Sequence, residues 1–225
     1  MSIIKMDLNS LIDIFFKNKL YEIPTDVCHI MKSYGSDKGL GWHNYTILYA
    51  MIFDHLREAN INIFEMGIGT NFIDIPSNMG IDGKPGSSLF AWREIFPNAK
   101  IYGADIDNRI LFSSDRIETF FCDQTNQESI RQLLTNDQLK DIEFDIMIDD
   151  GLHTFEANYT LLINSIHKLK KGGYYIIESI NKDRLLLTNS IINRLKQQLS
   201  LQYIKLLSIP SEYNNSDNNI LLIQK

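Results

Sequence analysis

The feature that most constrains the fold is the alternation of short hydrophobic segments with segments of helical periodicity. From residue 60 onward, five hydrophobic segments have the length and character of buried strands. They occupy residues 60–69, 99–107, 118–125, 143–150 and 172–180. Because strands that alternate with helices form parallel sheets covered on both faces, this pattern predicts an α/β fold.

Helical segments separate these strands, and the C-terminus departs from the alternation. Residues 87–96, 126–137 and 154–171 have helical spacing. Residues 201–210 and 218–225 instead predict two strands joined by a polar turn. We therefore expect a closing antiparallel hairpin, which would give the parallel sheet an antiparallel last strand.

Length, charge and cysteine content limit the class of protein. The chain fits a single domain over residues 1–225. A formal net charge of −6 disfavours a nucleic-acid or anionic-membrane partner. The two cysteines, Cys28 and Cys122, are too few for a disulfide framework or a zinc cluster. No apolar run reaches the roughly 18 residues of a membrane span, so we expect a cytoplasmic protein. Homo-oligomer formation stays open.

Acidic side chains stand at the carboxyl end of every predicted parallel strand. Ligands of open α/β sheets lie beyond these ends. One strand that ends in an acid is common, but acids at the ends of five neighbouring strands indicate a binding site. The acids are Glu65, Asp105 with Asp107, Asp123, Asp149 with Asp150, and Glu178.

The loop after the first strand favours a nucleoside-containing cofactor. Gly67 and Gly69 let the backbone approach a ligand closely, although they equally fit a tight strand exit. Asp105 is placed to accept hydrogen bonds from a ribose diol. Asp123 and Gln124 are then positioned to contact an adenine edge.

The same loop disfavours a nicotinamide dinucleotide. The glycine motif that binds dinucleotides requires a third glycine, and Phe72 occupies the position where that glycine would lie. A long loop over residues 70–86 replaces an immediate helix start, and we expect it to shape the acceptor pocket. An acid-rich pocket suits a ligand with ribose and adenine that is itself cationic, which describes S-adenosylmethionine.

Several motifs occur together and in a fixed order between residues 30 and 180. They are YGSDKG followed by WHNYT and Tyr49, then FEMGIG, GSSLFAWREIFPNAKIYGADID, FFCDQT, FDIMIDDGLH and GGYYIIES. In this combination the chain resembles the mycinamicin/macrocin-type sugar O-methyltransferases, a branch of the class I S-adenosylmethionine-dependent methyltransferases. The resemblance implies a doubly wound, seven-stranded, mostly parallel Rossmann-like sheet whose last strand is antiparallel.

The resemblance also implies roles for individual residues. Asp149 and Asp150 match a metal-binding pair, usually for Mg²⁺, and His153 matches the general base. Either Glu65 or Glu178 would complete the metal site, and Asp149 is also expected near the cofactor. The segment over residues 1–45 is expected to be helical and to cover the cofactor. It contains the remaining expected cofactor contacts, which are Tyr34, Ser36 and Lys38.

Two departures from the family pattern limit these assignments. The fifth strand of the family usually ends in Glu-Asp, whereas here it ends in Glu178-Ser179. The best-known members carry an additional N-terminal domain, and only a short segment precedes Tyr34 here. Substrate contacts from such a domain are therefore not transferred.

The chemistry explains why these residue types would be needed. A sugar hydroxyl is protonated at neutral pH, so a bound cation that lowers its pKa and a base that takes its proton would both assist attack on the sulfonium methyl group. Two simpler interpretations stay open: Asp150 as the N-cap of the next helix, and His153 as an ordinary residue of the helix start.

We therefore expect an S-adenosylmethionine-dependent O-methyltransferase acting on a sugar hydroxyl. The acceptor would be a nucleotide sugar, a surface or capsular glycan, or a glycosylated natural product. The alternatives are an N- or phosphoramidate methyltransferase, a nicotinamide-dependent oxidoreductase and a non-catalytic binding module.

Overall fold

The computed structural model describes residues 7–39 and 41–225, and its described part contains eight strands in one sheet. The strands are β1 (Asn62–Met66), β2 (Lys100–Asp105), β3 (Ser113–Ser114), β4 (Ile117–Phe121), β5 (Phe144–Asp149), β6 (Leu169–Ile177), β7 (Tyr203–Ser208) and β8 (Asn219–Gln224). The helices are α1 (Leu8–Lys17), α2 (Asp26–Tyr34), α3 (Tyr45–Ile52), α4 (Ser87–Ile95), α5 (Gln127–Thr135), α6 (Phe155–Ser165) and α7 (Leu185–Leu199).

The strand order is β3-β4-β2-β1-β5-β6-β8-β7. From β4 to β6 all neighbours are parallel, and β8 is antiparallel to both β6 and β7. The predicted α/β sheet with an antiparallel last strand is confirmed. The predicted number of seven strands is wrong by one, because β3 pairs antiparallel with β4 over only two serines. Such a short polar strand has no hydrophobic pattern by which to recognise it.

The central strands are hydrophobic throughout because both faces of the sheet are covered. In β1, Ile63 belongs to the core on one face, whereas Phe64 and Met66 belong to the core on the other. Neighbouring β2 repeats this alternation with Ile101 and Tyr102. This double burial is why the sequence shows continuous apolar runs, as parallel strands require.

One predicted helix is too long. The helix predicted over residues 154–171 ends at Ser165, and β6 already begins at Leu169. Lysines near this junction are partnered within the fold: Lys168 donates to the carbonyl of Leu139 at 2.8 Å, and Lys170 pairs with Asp145. Both ammonium groups are therefore bound within the fold.

Helix α7 was not predicted, although it is fifteen residues long. One of its faces packs on the core through Leu185, Ile191, Leu195 and Leu199, which recur at helical spacing. Polar residues between them weaken the pattern in the sequence.

Residues 1–24 have the periodicity of one amphipathic helix, whereas the structure divides this region into separate elements. Helix α1 ends at Lys17, a 3₁₀ turn covers Leu20–Glu22, and α2 begins at Asp26 after the cap residue Thr25. Residues 1–6 of the predicted helix lie outside the described residues. In the described ranges, no helix combines the length and the apolar character that crossing a membrane requires.

Candidate active site

A cavity of about 500 Å³ opens at the carboxyl ends of β1, β2, β4, β5 and β6. Most of the residues predicted for the site line this cavity, although they come from six separate parts of the chain. They are Ser36, Lys38, Glu65, Gly67, Gly69, Asp105, Asp123, Gln124, Asp150, His153 and Glu178. Tyr34 and Asp149 are not among its lining residues.

Gly67 allows β1 and β5 to end side by side. Its φ is +83°, and a Cβ there would lie 2.1 Å from the carbonyl oxygen of Asp150. The Asp150 backbone amide donates to the carbonyl of Met66 at 2.9 Å. The glycine is therefore required by a contact within the protein, which places Asp150 at the cavity wall.

Gly69 plays the corresponding role for the loop over residues 70–86. Its φ is +80°, and a Cβ there would lie 2.1 Å from the Met79 sulfur. The Met79 amide donates to the Thr70 carbonyl at 2.8 Å, which closes the loop on itself. Its residues 75–79 then form one wall of the cavity.

Asp105 ends β2 with its carboxylate held by backbone donors. It accepts from the amide of Ile68 at 2.9 Å and from that of Asp107 at 3.0 Å. Burial raises the pKa of Asp105. The neighbouring Asp107 is bound by Arg109 and Thr70, and the Arg109 hydrogen bonds lower the pKa of Asp107 to about 2.

Gln124 contacts the protein with both ends of its amide. Its nitrogen donates to Asp149 at 2.6 Å, and its oxygen accepts from the amide of Leu152 at 2.9 Å. These bonds tie the end of β4 to the loop after β5. The side chain predicted to contact adenine therefore also holds the loop that carries His153.

Asp149 differs most from its predicted role as a metal ligand and cofactor contact. Its carboxylate is fully buried and accepts hydrogen bonds from Gln124, from Asn158 at 3.1 Å and from the amide of Gly151 at 3.3 Å. Burial raises the pKa of Asp149 to about 7. Both of its oxygens are thus bound within the protein, so Asp149 organises the 150–153 loop and does not line the cavity.

Lys38 lies at the centre of an acidic cluster formed with Glu65, Asp150 and Glu178. Its Nζ is 2.5 Å from Asp150 Oδ2, 2.6 Å from Glu178 Oε2 and 3.4 Å from Glu65 Oε1. The lysine side chain is 2% exposed. The structure thus places Lys38 among the predicted metal ligands.

Two of these carboxylates have further donors. Glu65 accepts from Ser88 Oγ and Trp92 Nε1, both at 2.7 Å, and Glu178 Oε1 accepts from the Tyr49 hydroxyl at 2.5 Å. Burial alone would lower the pKa of Lys38, but the three carboxylates outweigh it and raise that pKa well above its usual value. The lysine is therefore charged.

The predicted magnesium site does not fit this arrangement. Among the described residues, no group of three histidine, cysteine or acidic side chains is placed to hold a metal ion. Asp150 and Glu178 share the Lys38 ammonium, Asp149 is directed elsewhere, and Ser179 replaces the second acid.

His153 lies in the loop between β5 and α6 with φ at +58°. Its Nδ1 is buried and has no hydrogen-bond partner among the described residues. Thr154, rather than Asp150, caps α6 by accepting from the Ala157 amide. The N-cap interpretation of Asp150 is therefore wrong, and His153 precedes the helix in a conformation that side chains rarely adopt.

Tyr34 lies away from the cavity, contrary to its predicted cofactor contact. Its hydroxyl donates to Glu94 at 2.8 Å, and its ring stacks on Phe90 with centroids 6.3 Å apart. The segment that covers the cavity begins after it, with Ser36 and Lys38.

Two residues that bind the acidic cluster have no predicted role in the site, and a third, His43, is predicted either to contact the cofactor or only to pack beside Trp42. Tyr49 and Trp92 were interpreted as motif or core residues, yet both donate to acids of the cluster. His43 lines the cavity, stacks on Tyr45 with centroids 4.5 Å apart and contacts Asn218 at 3.1 Å. The WHNYT motif was the available signal, but its partners lie far away in the chain.

The fold and the position of the cavity define a Rossmann-like methyltransferase architecture. In comparisons with solved structures, the chain superposes on MycE methyltransferase from the mycinamycin biosynthetic pathway, in complex with Mg and SAH, with a TM-score of 0.69 and 19% identity. The match covers 98% of this chain and 63% of that one. The same enzyme in complex with Mg, SAH and mycinamycin VI gives a TM-score of 0.68. At this identity the likeness shows the fold.

Curated relatives detected by sequence are sugar O-methyltransferases. The chain is 30% identical over 157 residues to the 8-demethyl-8-(2-methoxy-alpha-L-rhamnosyl)-tetracenomycin-C 3'-O-methyltransferase of Streptomyces olivaceus, covering 70% of this chain and 37% of the relative. It is 32% identical over 147 residues to the corresponding rhamnosyl tetracenomycin-C 2'-O-methyltransferase of that organism, covering 65% and 35%. The matches span only a little over a third of the length of these relatives. No family model matches the chain. The resemblance identified in the motifs is confirmed.

Proposed function

We propose that this chain is an S-adenosylmethionine-dependent O-methyltransferase that acts on a sugar hydroxyl. The observation that carries the proposal is the charge of the cavity. Seven carboxylic side chains line it, and Lys38 is the single lysine or arginine among the described lining residues. The acids are Asp37, Glu65, Asp105, Asp123, Asp150, Glu178 and Asp217.

This charge distribution selects among nucleoside cofactors. A dinucleotide carries a pyrophosphate, which would be repelled by the acids and would meet no arginine here. S-adenosylmethionine carries a sulfonium and an ammonium, and acidic walls of low dielectric attract such charges. Asp105, at the end of the second parallel strand, is placed to accept from the ribose hydroxyls, as in other open α/β sheets.

The methyl transfer requires a hydroxyl held in line with the sulfonium methyl group. Positioning the two reactants in one cavity supplies much of the rate. His153 lines that cavity, and we assign it as the base that takes the hydroxyl proton as the oxygen–carbon bond forms. The methyl group leaves the sulfur, which becomes a neutral thioether, and the positive charge passes to His153 with the hydroxyl proton.

Asp150 supports this role through its charge. Burial raises the pKa of Asp150, but the Lys38 ammonium outweighs this effect and lowers it, and positive charge at His153 or His43 would lower it further. An ionised Asp150 would stabilise the imidazolium formed when His153 accepts the proton. No step is assigned to a metal, since the described residues do not form a magnesium site.

The names of the relatives indicate the class of acceptor molecule. Two of them are named for rhamnosyl groups on tetracenomycin-C, and a structural neighbour is a complex with mycinamycin VI. We therefore favour a sugar on a small natural product, ahead of a nucleotide sugar or a surface polysaccharide. The negative cavity disfavours nucleic acid as an acceptor. The two buried thiols, Cys28 and Cys122, suit a reducing cytoplasm, whereas homo-oligomer formation stays a prediction.

Calorimetric titration with S-adenosylmethionine, S-adenosylhomocysteine and NAD⁺ tests the cofactor. We expect saturable binding of the first two and none of NAD⁺. Transfer of a labelled methyl group to rhamnosylated small molecules, compared with their aglycones, then tests the acceptor. Binding of NAD⁺ in place of both sulfur compounds would contradict the proposal, and transfer to the aglycone would overturn the sugar assignment.

A further inference from the structure

The acidic cluster contains its own cation. The Lys38 ammonium has Asp150 and Glu178 at hydrogen-bond distance and Glu65 at 3.4 Å. At 2% exposure this charge has little access to water. A buried ammonium is tolerated only where carboxylates replace its lost hydration, so the cluster and the lysine require each other.

A divalent ion held by the same carboxylates would need the same space. Asp150 Oδ2 and Glu178 Oε2 lie within 2.5 and 2.6 Å of Nζ, on a common cation. Mg²⁺ binds oxygen at about 2.0–2.1 Å with near-octahedral geometry. An ion coordinated by both oxygens would therefore overlap Nζ, and the two positive charges would repel each other.

The neighbouring positions supply no alternative acid. Ser179 follows Glu178 and has φ at +53°, while Asp149 is saturated by donors from Gln124, Asn158 and Gly151. Glu65 already accepts from Ser88 and Trp92. A metal that avoided Lys38 would thus lack the ligands it needs.

We propose that Lys38 is the resident cation of this cluster, and that a divalent ion binds there only when the Lys38 side chain is absent or displaced. In this arrangement the lysine neutralises the carboxylates and also anchors the loop before α3 to the ends of β5 and β6. That loop forms part of the cavity wall through Ser36, Asp37 and His43. Lys38 is then a positioning residue for the wall, and it takes the electrostatic place that a metal would otherwise fill.

Titration with Mn²⁺, followed by electron paramagnetic resonance of the free ion, tests the proposal on the full chain. We expect the wild type to bind Mn²⁺ at least about tenfold more weakly than Lys38→Met, which keeps the length of the side chain and removes its charge. Lys38→Arg, which retains the charge, should bind as weakly as the wild type. Mg²⁺ should compete with Mn²⁺ in Lys38→Met.

Thermal unfolding gives a second readout. Without Lys38 the three carboxylates repel one another, so Lys38→Met should have a lowered Tm that Mg²⁺ restores in part by mass action. The wild-type Tm should not change with Mg²⁺. If Lys38→Met folds only when a divalent ion is supplied, the proposal is supported in its strongest form.

Tight, saturable Mn²⁺ binding by the wild type, equal to that of Lys38→Met, would overturn the proposal. Equally weak binding by both proteins would overturn it as well, because the lysine would then not be what excludes the ion. Neither readout uses a methyl donor or an acceptor. A failure here is therefore distinguishable from a failure of the proposed methyl transfer, which the cofactor titration reports.

Discussion

His153 combines a strained backbone with a buried Nδ1 that has no hydrogen-bond partner among the described residues, and it lies at the cavity wall. A non-glycine residue in the left-handed region costs about 1–3 kcal/mol and persists where the surroundings impose it. Here Gln124 binds the Leu152 amide, and Thr154 caps the helix that follows. The loop is thus held on both sides of the histidine, which is the arrangement expected of a positioned base.

At this residue scale, we expect His153→Ala to lower kcat for methyl transfer by about 100-fold or more, since a general base contributes that order of rate. The Kd for S-adenosylhomocysteine should change little. Steady-state kinetics and calorimetry measure the two quantities. His29→Ala, on the exposed side of α2, is the matched control and should retain activity. Loss of cofactor affinity in His153→Ala would contradict its role as a base.

Lys38 shows why residue roles are hard to assign from a motif. The YGSDKG segment indicated a contact with the cofactor, and the lysine does line the cavity. Its charge, however, is taken up by Asp150 and Glu178, which lie 112 and 140 positions further along the chain. Nothing local to residue 38 specifies those partners.

At the scale of elements, the site depends on how closely β1 and β5 end beside each other. The parallel pairing continues to the register pair Met66 and Asp149, and the Asp150 amide then donates to the Met66 carbonyl. At Gly67 the backbone of Asp150, the residue after β5, leaves no room for a side chain.

We expect Gly67→Ala to lower the free energy of unfolding by more than about 3 kcal/mol, because overpacking against Asp150 adds to the strain of a positive φ. Gly172→Ala is the matched control. It has almost the same φ, +81°, but open space around its Cβ position, so only about 1 kcal/mol should be lost. Urea denaturation measures both. If both variants lost the same free energy of unfolding, the contact of residue 67 with Asp150 would not contribute to stability.

At the scale of the whole molecule, the cavity is closed by segments from opposite ends of the chain. Asn218, just before β8, donates to the Asn44 side chain and to the Ile209 carbonyl, both at 2.7 Å. Its oxygen contacts His43 Nδ1 at 3.1 Å. One buried amide thus joins the C-terminal hairpin to the segment that carries the cavity wall.

We expect Asn218→Ala to lower the free energy of unfolding by about 2 kcal/mol or more, because it leaves buried partners without hydrogen bonds. The Kd for S-adenosylhomocysteine should rise as the wall loosens around His43. Denaturation and calorimetry measure these changes, and Asn215→Ala, in the same loop but exposed, is the control. If both variants behaved alike, Asn218 would not connect the two segments.

The sequence by itself determined the architecture of the parallel sheet and the edge at which ligands bind. Runs such as residues 144–149 are apolar because both faces of the sheet are buried. The spacing of apolar residues along such a run is a local property, so it can be recognised in the sequence. The antiparallel hairpin was equally visible. Strand β3 and helix α7 were not, because a two-residue pairing and a diluted apolar face acquire their stability from neighbours.

Only the tertiary structure decided which of the acids at that edge act together. Adjacent Asp149 and Asp150 look equivalent in the sequence, yet consecutive side chains of a strand point to opposite sides. One is therefore held by Gln124 and Asn158, and the other reaches Lys38 in the cavity. Hydrogen-bond partners over a hundred residues apart are chosen by packing, and they determine whether a carboxylate is a ligand, a counter-ion or a structural acceptor.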